Sequence, residues 1–245
     1  MRELKVVATP IGCLTDITER ARQTLSETDA IICENKKICR KLLSALGIKG
    51  KFIMQYSADS PEKAVNVLTR AGNAEKCVFV TSAGTPLISD PGHLLVKKAG
   101  ELKINVSPVP GPTALAAALS VCPYKIKDFV FTGFLPKSSG KIKRVLEKYF
   151  EIGVPVVALT TKREVRKTAR ILCAGFRCSG IFLAREMTKM HEEYRSFSTP
   201  AEFFEWAEGD IKGEITLVII PEKEGRGQGF SRPVPYHKPC PLPLL

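Results

Sequence analysis

Glu186, Lys189, His191, Glu192 and Glu193 stand close together in one stretch of the chain. Carboxylates, an ammonium group and an imidazole gathered in this way can take, give or steady a proton during group transfer. An imidazole is the side-chain type best suited to act as a base near neutral pH, and His191 supplies one. The same charges also suit a solvated strand end and turn, because such residues are seldom buried. Spacing alone leaves both readings open.

A different chemistry is written in three loops with few charges. They are Thr9-Pro10-Ile11-Gly12, then Ser82-Ala83-Gly84-Thr85-Pro86-Leu87-Ile88-Ser89-Asp90-Pro91-Gly92, and Pro108-Val109-Pro110-Gly111-Pro112-Thr113. Glycine lets backbone approach a ligand closely, and proline fixes φ and so holds a loop's shape. Asp90-Pro91 reads as a helix N-cap followed by proline at the first helical position. One loop of this kind is no more than a stiff turn. Three at successive strand ends predict a shared pocket, since open α/β sheets bind ligands outside the carboxyl ends of their strands. G-x-G-x-x-G, the P-loop and G-x-S-x-G are all missing from the sequence, which disfavours a Rossmann dinucleotide site, a nucleotide triphosphatase and the commonest hydrolase arrangement.

The elements that must position these groups alternate along nearly the whole chain. Strand-like runs cover Leu4–Thr9, Ala30–Cys33, Lys51–Gln55, Cys77–Thr81, Ile104–Val109, Phe129–Gly133, Val154–Thr160, Ile181–Arg185 and Ile215–Ile220. Between them apolar residues recur at helical spacing, as in Leu42, Leu43 and Leu46. This alternation predicts an α/β fold with a largely parallel sheet. Glu192–Ser198 adds a strand beside Ile181–Arg185, so the second half is expected to hold a mixed sheet. The expected organisation is an α/β domain over 1–122, a second over 123–222, and a flexible Pro/Gly-rich tail over 223–245.

With 245 residues, 44% hydrophobic and 25% charged, the chain has the composition of a globular protein. It lacks an apolar run long enough to span a membrane and opens without the apolar core of a signal peptide, so a cytoplasmic protein is expected. Eight scattered cysteines and three histidines match no usual zinc spacing and read as small buried hydrophobes in a reducing compartment; no metal is expected. The net charge of +12 favours an anionic partner. Lys36, Lys37, Arg40 and Lys41 form one basic cluster, and Lys137, Lys141, Lys143 and Arg144 another. Both are expected beside strand ends and suit RNA phosphates, though a solvated helix face accounts for either one alone.

Val7-Ala8-Thr9-Pro10-Ile11-Gly12, Asp16-Ile17-Thr18, Ala83–Gly92 and Pro108–Thr113 resemble the tetrapyrrole methylase superfamily. So do Gly133-Phe134-Leu135-Pro136-Lys137, Ala184–Glu193 and Gly213-Glu214-Ile215, all in the expected order. Within it they look like the branch that methylates the ribose 2′-oxygen of a cytidine in bacterial small-subunit ribosomal RNA. The resemblance implies two α/β domains with S-adenosyl-L-methionine in the cleft between them, usually in a homodimer, with the small ribosomal subunit as partner. Carried over by position, the cofactor contacts are Pro10, Ile11, Gly12, Ser82, Ala83, Thr85, Thr113, Ala114, Leu159, Ile215 and Thr216. The base that a ribose hydroxyl needs would come from Glu186, Lys189, His191 or Glu192.

The chain departs from that branch at Cys13, at Glu34-Asn35-Lys36-Lys37, at Ser57–Ser60, at Thr160–Val165 and at Ser82, where an aspartate is expected. The competing readings are a methyltransferase for a tetrapyrrole or another small molecule, and a member that binds cofactor or RNA without catalysis. Aspartate at position 82 can pair with the cofactor's amino group or ribose hydroxyls. On that argument Ser82→Asp is expected to bind the cofactor several-fold more tightly.

Overall fold

The structure, a computed structural model, describes residues 3–57 and 60–222; the expected tail over 223–245 lies outside the described residues. The chain divides into two compact units at Ala114/Leu115. The first holds β1 (Glu3–Val7), β2 (Ala30–Cys33), β3 (Phe52–Gln55), β4 (Lys76–Val80) and β5 (Asn105–Val109). They form a sheet of order β3-β2-β4-β1-β5 in which every pairing is parallel. Parallel strands need crossovers, and α1 (Glu19–Glu27), α2 (Lys36–Ala45), α3 (Pro61–Arg70) and α4 (His93–Glu101) supply them.

The sequence starts these helices with local chemistry. Thr18, Asn35 and Ser60 each accept a hydrogen bond from an N–H of the first turn, and Pro61 sits where a missing N–H does no harm. Each helix then buries an apolar stripe. Leu25 of α1 and Cys39, Leu42 and Leu43 of α2 pack with Val7, Ile31, Val78 and Val80 on one face of the sheet. Ala64, Val67 and Leu68 of α3 and Leu95 and Ala99 of α4 pack with Leu4, Ile32, Cys77 and Phe79 on the other. Burying one such large side chain contributes about 1.5–3 kcal/mol.

One expected boundary is corrected. α4 begins at His93 with Gly92 as its N-cap, at φ 132° and with no side-chain cap bond; Asp90-Pro91 falls in the loop before it. Leu87 and Ser89 both adopt φ 69° and carry the chain two residues further before it can enter the helix.

The second unit contains β6 (Val130–Phe134), β7 (Val156–Thr160), β8 (Cys178–Arg185), β9 (Glu193–Phe197) and β10 (Ile215–Pro221), in the order β6-β7-β10-β8-β9. Only β6 and β7 pair in parallel, and β10 runs antiparallel between β7 and β8, so the sheet is mixed as expected. β9 is the extra strand read beside Ile181–Arg185. α6 (Ser139–Glu151), α7 (Lys162–Gly175) and α8 (Pro200–Ala207) bring Ile142, Leu146, Val165, Leu172 and Phe203 against Ile181, Leu183, Leu217 and Ile219. α5 (Ala114–Ser120) follows the third loop.

Candidate functional site

The strand order decides where the first unit can hold a ligand. From β1 the chain crosses through α1 to β2 on one side, and from β4 it crosses through α4 to β5 on the other. β1 and β4 are neighbours, so the two connections diverge over opposite faces. That is the topological switch point where open α/β sheets bind ligands.

The three loops singled out in the sequence meet there. Thr9 and Gly84 exchange both backbone hydrogen bonds, at 2.9 and 3.0 Å, which locks the first loop to the second. The Thr85 hydroxyl donates to the Pro112 carbonyl at 3.0 Å, which locks the second to the third. Gly84, at φ 76°, lies where a Cβ would reach 3.4 Å from Ile11 Cγ2. Pro10 and Gly12 are buried, and Ile11, Ser82, Ala83, Thr85, Thr113 and Ala114 are half-buried. These expected cofactor residues are therefore one connected surface.

Two features of this surface escaped the sequence reading. The hydroxyls of Thr9 and Thr81, at the ends of β1 and β4, are buried without a hydrogen-bond partner among the described residues. Buried hydroxyls are nearly always paired, and leaving one unpaired costs about 1–3 kcal/mol. The second feature is Glu34, which follows β2 and accepts both the Ser82 N–H, at 3.0 Å, and the Ser82 hydroxyl on one carboxylate oxygen. An acidic residue ending an apolar strand was the available signal. Its partner lies too far along the chain to be read from spacing.

In the second unit, Leu159 and Thr216 face each other across β7 and β10, with Ile215 beside them opposite Thr160. At the same end of that sheet, β8 runs into the charged turn. Glu186 (φ 48°) and Thr188 (φ 62°) are left-handed there, a conformation that non-glycine residues hold only when their surroundings fix it. Hydrogen bonds do the fixing. Glu186 accepts from the Glu214 N–H at 2.8 Å and from Lys189 Nζ at 3.0 Å, and Lys189 also reaches Glu214 at 2.8 Å.

Burial alone would raise the Glu186 carboxyl, but the Glu214 N–H and Lys189 outweigh it and hold it below its ordinary value. Lys189 is raised for the matching reason, its two carboxylates outweighing desolvation. Glu192 accepts from the Thr188 N–H at 2.8 Å and from the Tyr194 hydroxyl. Glu186, Lys189 and Glu192 are thus engaged in shaping the turn. His191 is exposed and makes no side-chain hydrogen bond among the described residues.

Both basic clusters sit at strand carboxyl ends. Lys36, Lys37 and Arg40 occupy the first turns of α2, directly after β2, and Lys37 and Arg40 are exposed. Lys137, Lys141 and Arg144 are exposed at helical spacing where β6 leads into α6, whereas exposed Lys143 pairs with Glu147 at 3.5 Å. Lys167 of α7 donates to the Lys137 carbonyl and so extends this cluster, and Arg163 stands exposed on the same helix. The neighbouring cations are occupied: Lys162 by Asp210, Arg170 by Glu208, and Arg166 by the carbonyls of Ala207, Glu208 and Gly209.

Residues 3–201 match the model of the Tetrapyrrole (Corrin/Porphyrin) Methylases. The protein named ribosomal RNA small subunit methyltransferase I of Neisseria meningitidis serogroup A is 35% identical over 231 residues, covering 93% of this chain and 79% of that protein. Proteins of the same name from Leptospira biflexa (35% identical, 90% and 92% covered) and Thermotoga maritima (33% identical, 89% and 98% covered) match equally broadly. Among solved structures, diphthine synthase superposes with a TM-score of 0.66 at 12% identity, covering 90% of each chain. The methyltransferase CobJ gives 0.63 at 17%, covering 94% of this chain and 98% of its own. At such identities the two structures speak for the fold alone.

Proposed function

The chain belongs to the tetrapyrrole (corrin/porphyrin) methylase family, and from that premise we propose that it methylates small-subunit ribosomal RNA, using S-adenosyl-L-methionine. The methyl acceptor in this reading is the ribose 2′-oxygen of a cytidine. The observation that carries it is the similarity, over about nine-tenths of the chain, to proteins named ribosomal RNA small subunit methyltransferase I. The enzyme works in the cytoplasm as a homodimer. Among the described residues, no helix is long and apolar enough to cross a membrane.

The residues at the switch point fit a polar organic cofactor. The buried hydroxyls of Thr9 and Thr81, without a partner among the described residues, and the Glu34 carboxylate give it hydrogen-bonding groups, and the interlocked loops around Ile11, Ala83, Thr85 and Thr113 give it a fixed wall. When bound, the cofactor supplies an electrophilic methyl group on a sulfonium. The protein's task is to hold donor and acceptor in line and to take the proton from the ribose hydroxyl. His191, exposed and without a side-chain hydrogen bond among the described residues, is the proton acceptor in this reading, and Glu186, Lys189 and Glu192 hold the turn that presents it.

Calorimetry with S-adenosyl-L-methionine and its demethylated product is expected to give one site per chain, and radiolabel is expected to pass from the cofactor to small subunits from a deletion strain. Folded protein giving no heat and no thermal stabilisation with either ligand would sink the methyltransferase reading. Transfer to a tetrapyrrole and not to RNA would move the chain to the small-molecule branch.

For RNA, the exposed stripe of Lys137, Lys141 and Arg144 is the proposed phosphate contact, with Lys36, Lys37 and Arg40 as a second. Changing the stripe to alanine is expected to weaken RNA binding and to lower its salt slope by about two to three counterions, while cofactor affinity stays level. An unchanged slope would return these cations to a solvated helix face.

A further inference from the structure

We infer that Glu34 is a cofactor-binding residue whose carboxylate accepts hydrogen bonds from the ribose hydroxyls of S-adenosyl-L-methionine. The inference rests on the proposed cofactor site. Glu34 is half-buried at the carboxyl end of β2, and its backbone N–H donates to the Val80 carbonyl of β4 at 3.2 Å. One carboxylate oxygen takes both the N–H and the hydroxyl of Ser82, which uses its two lone pairs. The other oxygen has no hydrogen-bond partner among the described residues. The group is therefore fixed by two bonds on one side and able to accept on the other, beside the second loop.

A fixed carboxylate at this kind of position has a known use. In open parallel sheets an acidic residue shortly after the first strand's glycine loop accepts from a ribose hydroxyl, while the loop takes the rest of the ligand. Here the first loop ends at Gly12 and the acid follows the second strand, which pairs directly with β4 at the switch point. Hydrogen bonds to a charged acceptor are the strong ones, and a pre-positioned acceptor loses little freedom on binding.

The pairing also reverses the expectation for Ser82. An aspartate there would set a second carboxylate against Glu34, and like charges in contact repel. The serine instead donates twice to the acid and holds it in place.

The test is calorimetry on the full chain with S-adenosylhomocysteine and with methylthioadenosine, which keeps the ribose but lacks the amino-acid portion. Glu34→Gln keeps an oxygen for Ser82 and loses the charge; it should weaken both ligands about tenfold. Ser82→Asp should weaken them too, and the Glu34→Gln/Ser82→Asp double variant, with one carboxylate restored, should return to within a few-fold of the parent. Ser82→Ala should have the smaller effect, because a role confined to holding the loop would make it match Glu34→Gln. Circular dichroism confirms that each variant is folded. If the parent binds and Glu34→Gln binds equally well, the inference falls while the methyltransferase reading stands. Loss confined to S-adenosylhomocysteine would move the carboxylate to the amino group and overturn the ribose assignment. A parent that binds neither ligand removes the reading itself.

Discussion

Gly92→Ala is expected to lower stability by about 3 kcal/mol. Two effects combine. Gly92 sits at φ 132°, where an L side chain is strained by about 1–3 kcal/mol. Its added Cβ would also collide with the ring of Phe79 and approach Leu87 Cδ1 to 3.2 Å. Phe79 is fully buried and meets the ring of Tyr56 edge-on at 6.2 Å, so it has little room to move, and overpacking a core costs about 1–3 kcal/mol more. Urea denaturation followed by circular dichroism measures the change. Gly140→Ala is the control. It lies within α6 with nothing within 4 Å of a new Cβ, and should gain about 0.5–1 kcal/mol from helix propensity. Equal midpoints for Gly92→Ala and the parent would mean that the loop entering α4 can relax around the new methyl group.

The same residue shows where sequence reasoning stops. Ile31, Ile32, Val78, Phe79 and Val80 announce their strands because a parallel sheet covered on both faces makes each strand a continuous apolar run. Asp90-Pro91 looks like a helix start because both residues have the right local preferences. What overrules them is the fit of Gly92 against Phe79, and that contact depends on the folded sheet. A local signal fixed the kind of element and missed its first residue for a non-local reason.

The candidate site divides along the same line. Loops rich in glycine and proline at successive strand ends are visible in the sequence, and their meeting follows from strand order. The Glu34–Ser82 pair joins residues just past the ends of adjacent strands that stand far apart in the chain, so position 82 read alone suggests a missing charge. The bonds from Glu186 and Lys189 to Glu214 reach equally far. Read locally, those side chains form a ready supply of acids and bases. Folded, they hold one another, and His191 is left exposed between them.

Glu186→Ala and Gly213→Ala are each expected to lower methyl transfer about 100-fold, the loss that a shift of about 1 Å in a reacting group produces. Alanine at 186 removes the acceptor of the Glu214 N–H and one of the two carboxylates that hold Lys189. Alanine at 213 acts from the other side. Gly213 is at φ 95°, and a Cβ there would occupy the space of the Glu186 side chain. Either change lets the turn carrying His191 move. Glu186→Gln separates a brace from a reacting base. The amide oxygen can still accept from the Glu214 N–H, so a brace keeps most of its rate, within a few-fold. A residue that takes the substrate's proton loses about as much with glutamine as with alanine, about 10²–10⁴-fold. The pH dependence of stability gives a second measurement. Glu186 is held below its ordinary value of 4.5 in the folded chain, so its stabilising bonds are present above that pH. They are lost as pH falls through the lower folded value and the carboxyl takes up its proton. Acid unfolding of Glu186→Gln should therefore be shallower than that of the parent below about pH 4.5, with the two curves parallel near neutrality. Parallel curves down to the acid limit, together with a glutamine variant as inactive as alanine, would make Glu186 the reacting base and leave His191 without that role.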